Sequence, residues 1–276
     1  MQQLILYCVV AFIYLAVAAD FWQSSKNSPA KPESSALNLH SVMVALGLAL
    51  HGGLLYHDIF GTGLSLSNFN FGLANALSVI FWLTVLVYWV ADLNHQLQSL
   101  QAFVLPPAAL FVVLPAFSAQ NHLVTEPTSK LFIAHIGIAL VAYSLFTFAA
   151  LHALLMAIAE RSLHNKPTMI KLPSFPPLMV METLLFRVIT IGFVLLTFTV
   201  LSGMLFSEQI FGKALKFNHK VIFSIASWLI YGGLLFGRYQ YGWRGKKAIR
   251  WTLTGFILLL LAYVGSRFVL QVILNK

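Results

Sequence analysis

A chain of 276 residues with 59% hydrophobic and only 9% charged residues is too apolar for a soluble globular domain, where about a quarter of residues carry charge; lipid must be its main solvent. The formal net charge of +9 would suit a nucleic-acid partner, but multi-pass membrane proteins gather Lys and Arg in their cytoplasmic loops, so the bilayer, and no nucleic acid, is the expected partner. The single cysteine, Cys8, excludes an internal disulfide.

A spanning helix needs about 20 mostly apolar residues. Eight segments qualify, near residues 3–22, 37–60, 69–91, 97–118, 131–158, 183–206, 219–238 and 249–274. The expected fold class is therefore all-α, a polytopic bundle of eight transmembrane helices forming one membrane domain over 1–276. The run from Leu4 to Ala19 lacks a basic leader and a small-residue cleavage site followed by a soluble domain, so it reads as a retained helix. Pro106, Pro107 and Pro115 interrupt the fourth segment and predict a kinked span. Pro167, Pro173, Pro176 and Pro177 predict irregular chain between the fifth and sixth segments.

The basic residues set an orientation. Lys26 and Lys31, then Arg161, Lys166, Lys171 and Arg187, then Arg238, Arg244, Lys246, Lys247 and Arg250 place eleven cations at the odd-numbered loops. Lys130, Lys213, Lys216, Lys220 and Lys276 leave five for the even loops and the C-terminus. The positive-inside rule then puts both termini, and the loop before the seventh segment, on the outer face.

Motifs of hydrolytic or phosphate-handling chemistry are absent: there is no HExxH, no CxxC and no glycine-rich phosphate loop, and acidic residues number only eight. An enzyme is not expected. The informative residues are ionisable groups inside the spans, which are costly in lipid and tend to be functional. In the second segment His40, His51 and Asp58 recur after 11 and 7 residues and share one face with Gly47. In the fifth, His135 lies about one turn below the outer surface and His152 about 25 Å deeper, so the two cannot share a metal ion. His135 and His219 both fall near the outer surface, at the starts of the fifth and seventh segments. Two neutral imidazoles from different helices suit iron, copper or zinc, and with haem they form an axial pair. Arg267, about two turns below the outer end of the eighth segment, needs an anionic partner, for which Asp58, Glu208 or a haem propionate are candidates.

Plainer readings stand beside these. A membrane histidine is often a helix–helix hydrogen-bond donor, the preferred reading for His40 and His152 and an equal contender for His51. His57, His95, His122 and His164 read as loop or helix-end residues, and His219 taken alone as a helix start. The abundant aromatics read as lipid-facing and interfacial side chains.

From the fifth segment onward the residues resemble the integral-membrane cytochrome c assembly family, the CcsA/CcmC/HemX group of haem-handling proteins. The resemblance rests on His135-Ile-Gly-Ile-Ala-Leu-Val-Ala-Tyr143-Ser144, on Glu182-Thr-Leu-Leu-Phe-Arg187, Ile191-Gly192-Phe193, Leu196-Thr197 and Ser202-Gly203, on Trp228 and Gly242-Trp243-Arg244-Gly245, and on Gly255-Phe256, Tyr263 and Gly265. It spans residues 130–274, and the eight-segment layout is closest to the HemX-like branch. It implies a bacterial inner-membrane protein with haem, of the b type, as cofactor, His135 as a ligand, and other cytochrome-maturation proteins as partners.

Two departures are visible. Family members that export haem carry a tryptophan-rich WWD segment before the seventh helix; here Leu215, Phe217 and Asn218 stand in its place, while Lys220 matches a family lysine. A second outer histidine near the end of the last helix is replaced by Leu274. His219 is a substitute by position and chemistry rather than by match, and His51 is a candidate for a deeper haem site. The leading expectation is a haem-binding or haem-handling protein in which His135 and His219, with His51, ligate iron and Arg267, Lys216 and Lys220 neutralise propionates. The alternatives are a membrane scaffold or regulator that kept the fold without haem delivery, and a metal-ion transporter using the His40–His51–Asp58 stripe.

Overall fold

A computed structural model describes residues 2–27, 39–61, 72–95, 98–117, 130–164, 176–205, 207 and 219–265. The described residues are all-helical, in eight helices with no strand: α1 (Gln2–Asn27), α2 (Leu39–Phe60), α3 (Leu73–His95), α4 (Gln98–Phe117), α5 (Lys130–His164), α6 (Leu178–Leu205), α7 (His219–Tyr241) and α8 (Lys246–Leu260). The first seven are long and apolar enough to cross a membrane. Helix α8 passes directly into a π-helical turn, Leu261–Gly265, where the described residues end.

The elements follow the expected segments closely. Helix α4 runs unbroken with Pro106, Pro107 and Pro115 inside it, as membrane helices allow when neighbours satisfy the freed carbonyls. Helix α5 is longer than expected, at 35 residues; at about 52 Å it exceeds a hydrocarbon core of about 30 Å. The loop residues Lys213, Leu215, Lys216, Phe217 and Asn218, and Glu208, Arg267 and Leu274 near the chain's end, lie outside the described residues.

The chain forms two compact units. In the first, residues 1–127 with 158–178, helices α1 to α4 close a ring: α1 packs on α2 and α4, and α3 packs on the same two. The α1–α2 seam is read from the sequence at heptad spacing. Tyr7, Val10, Tyr14, Val17 and Phe21 of α1 are all buried, the a/d pattern that keeps one face of a helix on its partner. Opposite them on α2 lie Asp58, which accepts from the Tyr7 hydroxyl, His51, which meets the Tyr14 hydroxyl, and His40, whose ring stacks on Phe21 and bonds Asp20. Gly47 makes this approach possible, because a Cβ there would sit 2.7 Å from Tyr14 Cε1. Two tryptophans a heptad apart tie α3 to the other side of α2: Trp82 donates to the Leu48 carbonyl at 2.8 Å and Trp89 to that of Ser41 at 3.1 Å.

The second unit, residues 128–157 with 179–276, holds most of α5 and α6 with α7 and α8. Phe146 of α5 stacks on Tyr231 of α7 at 3.9 Å and lies against Gly192 of α6. Ser227 and Tyr231 of α7 donate to the Gly255 and Thr252 carbonyls of α8, and Tyr143 of α5 to that of Leu259. The turn between α7 and α8 is short and tightly held. Gly242 and Gly245 take positive φ of 64° and 52°, which side-chain-bearing residues rarely adopt. The Trp243 ring folds back onto Gly237. Glu182, near the start of α6, pairs with Arg238 at 2.7 Å and Arg244 at 3.4 Å and accepts from the Gly245 amide. Arg238 also lies over the Phe186 ring at 4.5 Å.

A single interhelical hydrogen bond in a membrane is worth only about 0.6 kcal/mol, so close packing at glycines should matter more than any one bond. A Cβ at Gly237 would come within 2.4 Å of Trp243 Cε3, and relieving that overlap costs about 1–3 kcal/mol. Gly237→Ala should therefore lower the melting temperature in detergent clearly, while Gly53→Ala, at a site with open space around it, should leave it nearly unchanged. Equal melting of the two variants would contradict this account of the turn.

Candidate functional site

His135 occupies the second turn of α5, partly buried against α6. Its Nδ1 lies 2.8 Å from Ser202 Oγ, and Ser202 Oγ lies 3.2 Å from the Thr199 carbonyl. A hydroxyl has one proton. Given to the carbonyl, which can only accept, it leaves the serine oxygen as acceptor toward the ring. Given instead to Nδ1, the nearer partner, it makes the ring the acceptor; either way the serine holds the Nδ1 edge of the imidazole against α6. A bond at one ring nitrogen is also how metal-ligating histidines are oriented. Gly203 keeps α6 thin beside the ring, with His135 Cε1 at 3.4 Å from where a Cβ would stand.

The surroundings of His135 differ from the rest of its unit. At the far end, Phe146, Ala149, His152, Met181, Leu185, Ile189, Tyr231 and Leu234 are buried. At the His135 end, no side chain described over 131–141, 197–205 or 219–226 is buried. Among the described residues, three of the four helices thus keep their side chains partly or fully exposed at this end. Trp228 bounds it: its indole N–H donates to Thr197 Oγ1 at 2.9 Å and its ring stacks on Phe193 at 5.7 Å.

His219 is the first residue of α7 and is exposed. The Trp228–Thr197 bond sets the register between α6 and α7, and counting about 1.5 Å per residue from it puts His219 about 6 Å beyond Ser202 along the axis. His135 and His219 thus share one end of the unit, with His219 nearer its rim. Among the described residues no group of three or more His, Cys, Asp or Glu gathers as a metal site. A closed structural zinc site would need four such ligands, whereas haem brings four nitrogens of its own and asks the protein for one or two axial ligands. The imidazole of His135, held by Ser202, and the second imidazole at the rim fit that smaller demand. Arg267 lies outside the described residues, and so does any pairing it makes.

His51 is placed otherwise. It belongs to the first unit and is fully buried, with Nε2 at 2.9 Å from Ser78 Oγ and Nδ1 at 3.3 Å from the Tyr14 hydroxyl. Both ring nitrogens are engaged by protein, so ligating iron would require breaking one of these bonds. The geometry favours a core histidine that joins α1, α2 and α3. Its stripe partners His40 and Asp58 are likewise engaged by α1, so the stripe lies in a helix seam. His152 is the interhelical donor expected of it, giving its Nε2 proton to the Met181 carbonyl at 3.0 Å and stacking on Phe148.

Ser202 and Thr199 are residues whose part at the site the sequence alone does not assign. Ser202-Gly203 belongs to the family-like pattern, but its partnership with a histidine 67 positions away depends on the α5–α6 register. Thr197 and Trp228 are legible only as pattern residues until the pairing of α6 with α7 brings them together.

The family model described as cytochrome C assembly protein matches residues 39–274, so the match begins well before the region 130–274 that carries the visible resemblance. The inner membrane protein YpjD of Escherichia coli (strain K12) is 34% identical over 234 residues, covering 84% of this chain and 84% of its own. The cytochrome c biogenesis protein CcsA of Prochlorococcus marinus (strain AS9601) is 24% identical over 266 residues, covering 86% of this chain and 83% of its own. A chain whose described residues include seven helices fit to span lipid, matched over most of its length by the family model and by such a relative, belongs to the cytochrome c assembly protein family.

Proposed function

We propose that this protein is a haem-handling protein of the bacterial inner membrane that serves cytochrome c assembly, holding haem b through His135 at one end of its second unit. The observation that supports the reading is the hydrogen bond that ties His135 to Ser202 at an end of the unit where no side chain described over 131–141, 197–205 or 219–226 is buried. The relatives support the location and the process: YpjD is named an inner membrane protein and CcsA a cytochrome c biogenesis protein. Haem, when bound, supplies the iron and two propionates. His219 at the rim is the second axial candidate, and Lys220 and Arg267 are cations suited to propionates. On the orientation set by the basic loops this end faces outward. The protein binds and passes on a cofactor rather than catalysing a reaction, and other cytochrome-maturation proteins are its partners.

A second reading, a membrane scaffold or regulator without haem delivery, is favoured by one feature of the sequence. Leu215, Phe217 and Asn218 replace the tryptophan-rich segment, and Leu274 replaces the last-helix histidine.

Absorbance spectroscopy on protein purified after haem supply separates these readings. Wild type should show a Soret band that His135→Ala abolishes, and Ser202→Ala should weaken haem affinity about tenfold or more, as loss of a ligand's hydrogen-bond partner typically does. His51→Ala should leave the Soret band in place yet lower thermal stability by about 2–4 kcal/mol, through an emptied and unpaired core site. No band in wild type, or an unchanged band in His135→Ala, would refute the haem reading; unaltered cytochrome c in a deletion strain would then support the scaffold.

A further inference from the structure

We propose that the turn joining α7 and α8 is a binding site for the phosphate of an anionic phospholipid headgroup. Arg244, Lys246, Lys247 and Arg250 are all exposed there. Lys246 and Arg250 are four residues apart on α8, and Lys247 and Arg250 three, spacings that make them neighbours on one helix surface. Glu182 is shared between Arg238, Arg244 and the Gly245 amide. Lys247 and Arg250, exposed and three residues apart on α8, add charge beyond that clasp, and neighbouring like charges favour an anion between them.

The depth of the turn selects the anion's source. Helix α7 is long and apolar enough to span and ends at Tyr241. Only Gly242–Gly245 separates it from α8, so the cations cannot leave the level at which the span ends. The turn is also fixed in shape. The Trp243 amide donates to the Gly237 carbonyl at 3.2 Å, Arg238 donates to the Trp243 carbonyl at 3.1 Å, and Lys247 Nζ lies 5.7 Å from the centre of the Trp243 ring. Tyr239 and Tyr241 are 90% and 68% exposed beside it, aromatic side chains of the type that sits at the lipid–water boundary. Cations clustered on a rigid turn at headgroup depth, flanked by tyrosines, match a lipid phosphate held from the membrane side.

The test uses the full chain in nanodiscs of phosphatidylcholine, with and without phosphatidylglycerol. Phosphatidylglycerol should raise the melting temperature of wild type by about 3 °C or more, and native mass spectrometry should find it retained after delipidation. The triple variant K246Q/K247Q/R250Q should lose both effects, while Arg187→Gln, which removes an exposed cation from α6, should keep them. Equal stabilisation by the two lipids, no retained phosphatidylglycerol on wild type, or an undiminished rise in the triple variant would overturn the proposal. So would inorganic phosphate alone, in phosphatidylcholine discs, reproducing the rise.

Discussion

Hydrocarbon offers no hydrogen-bond partner, and that constraint governs where the polar side chains of this protein point. Thr84, Thr147, Thr190, Thr197, Thr199 and Thr252 each return their hydroxyl proton to the carbonyl four residues earlier, which hides the group within its own helix. Side chains that reach further choose carbonyls on a neighbour: Trp82 and Trp89 from α3 to α2, His152 from α5 to α6, Ser227 and Tyr231 from α7 to α8. These bonds are individually weak. Their effect is on register, since a donor that must find its acceptor fixes how far one helix slides along the next.

The same constraint explains the contrast between the two buried histidines and His135. His51 and His152 sit where surrounding helices close fully, and their bonds run to groups of the core. His135 is held by a serine that is itself held by its own helix, in a layer where the neighbouring side chains stay partly open. One arrangement consumes an imidazole as a structural cross-link. The other orients it from one side, much as a rigid element supports a metal-binding side chain from behind.

Much of the fold was legible because apolar length is a strong signal: the eight segments meet eight described helices, seven of them long and apolar enough to span, and the last segment beyond residue 265 lies outside the described residues. The polar stripe His40–His51–Asp58 was legible as a stripe, since helical periodicity fixes which residues share a face. What the periodicity does not state is what covers that face. Tyr7, Tyr14 and Phe21 carry the complementary heptad on α1 and make the stripe a seam. At the site, His135 was visible from its type and depth. Ser202 was not assignable to it, because a serine in a membrane helix bonds its own backbone as readily as a neighbour, and the choice depends on tertiary register. The clasp of Glu182 with Arg238 and Arg244 joins residues 56 and 62 positions apart and leaves no local trace in the sequence.

The seam between α1 and α2 also bears on how the protein lies in the bilayer. Helix α2 carries Asp58, His51 and His40 along the face that α1 covers, and α1 lies before the matched family region, which begins at residue 39. Alone in lipid, α2 would present an acid and two imidazoles to hydrocarbon; beside α1 it presents mainly its apolar side. Packing against α1 is what lets the polar face of α2 lie in hydrocarbon, its acid and imidazoles turned toward the partner helix.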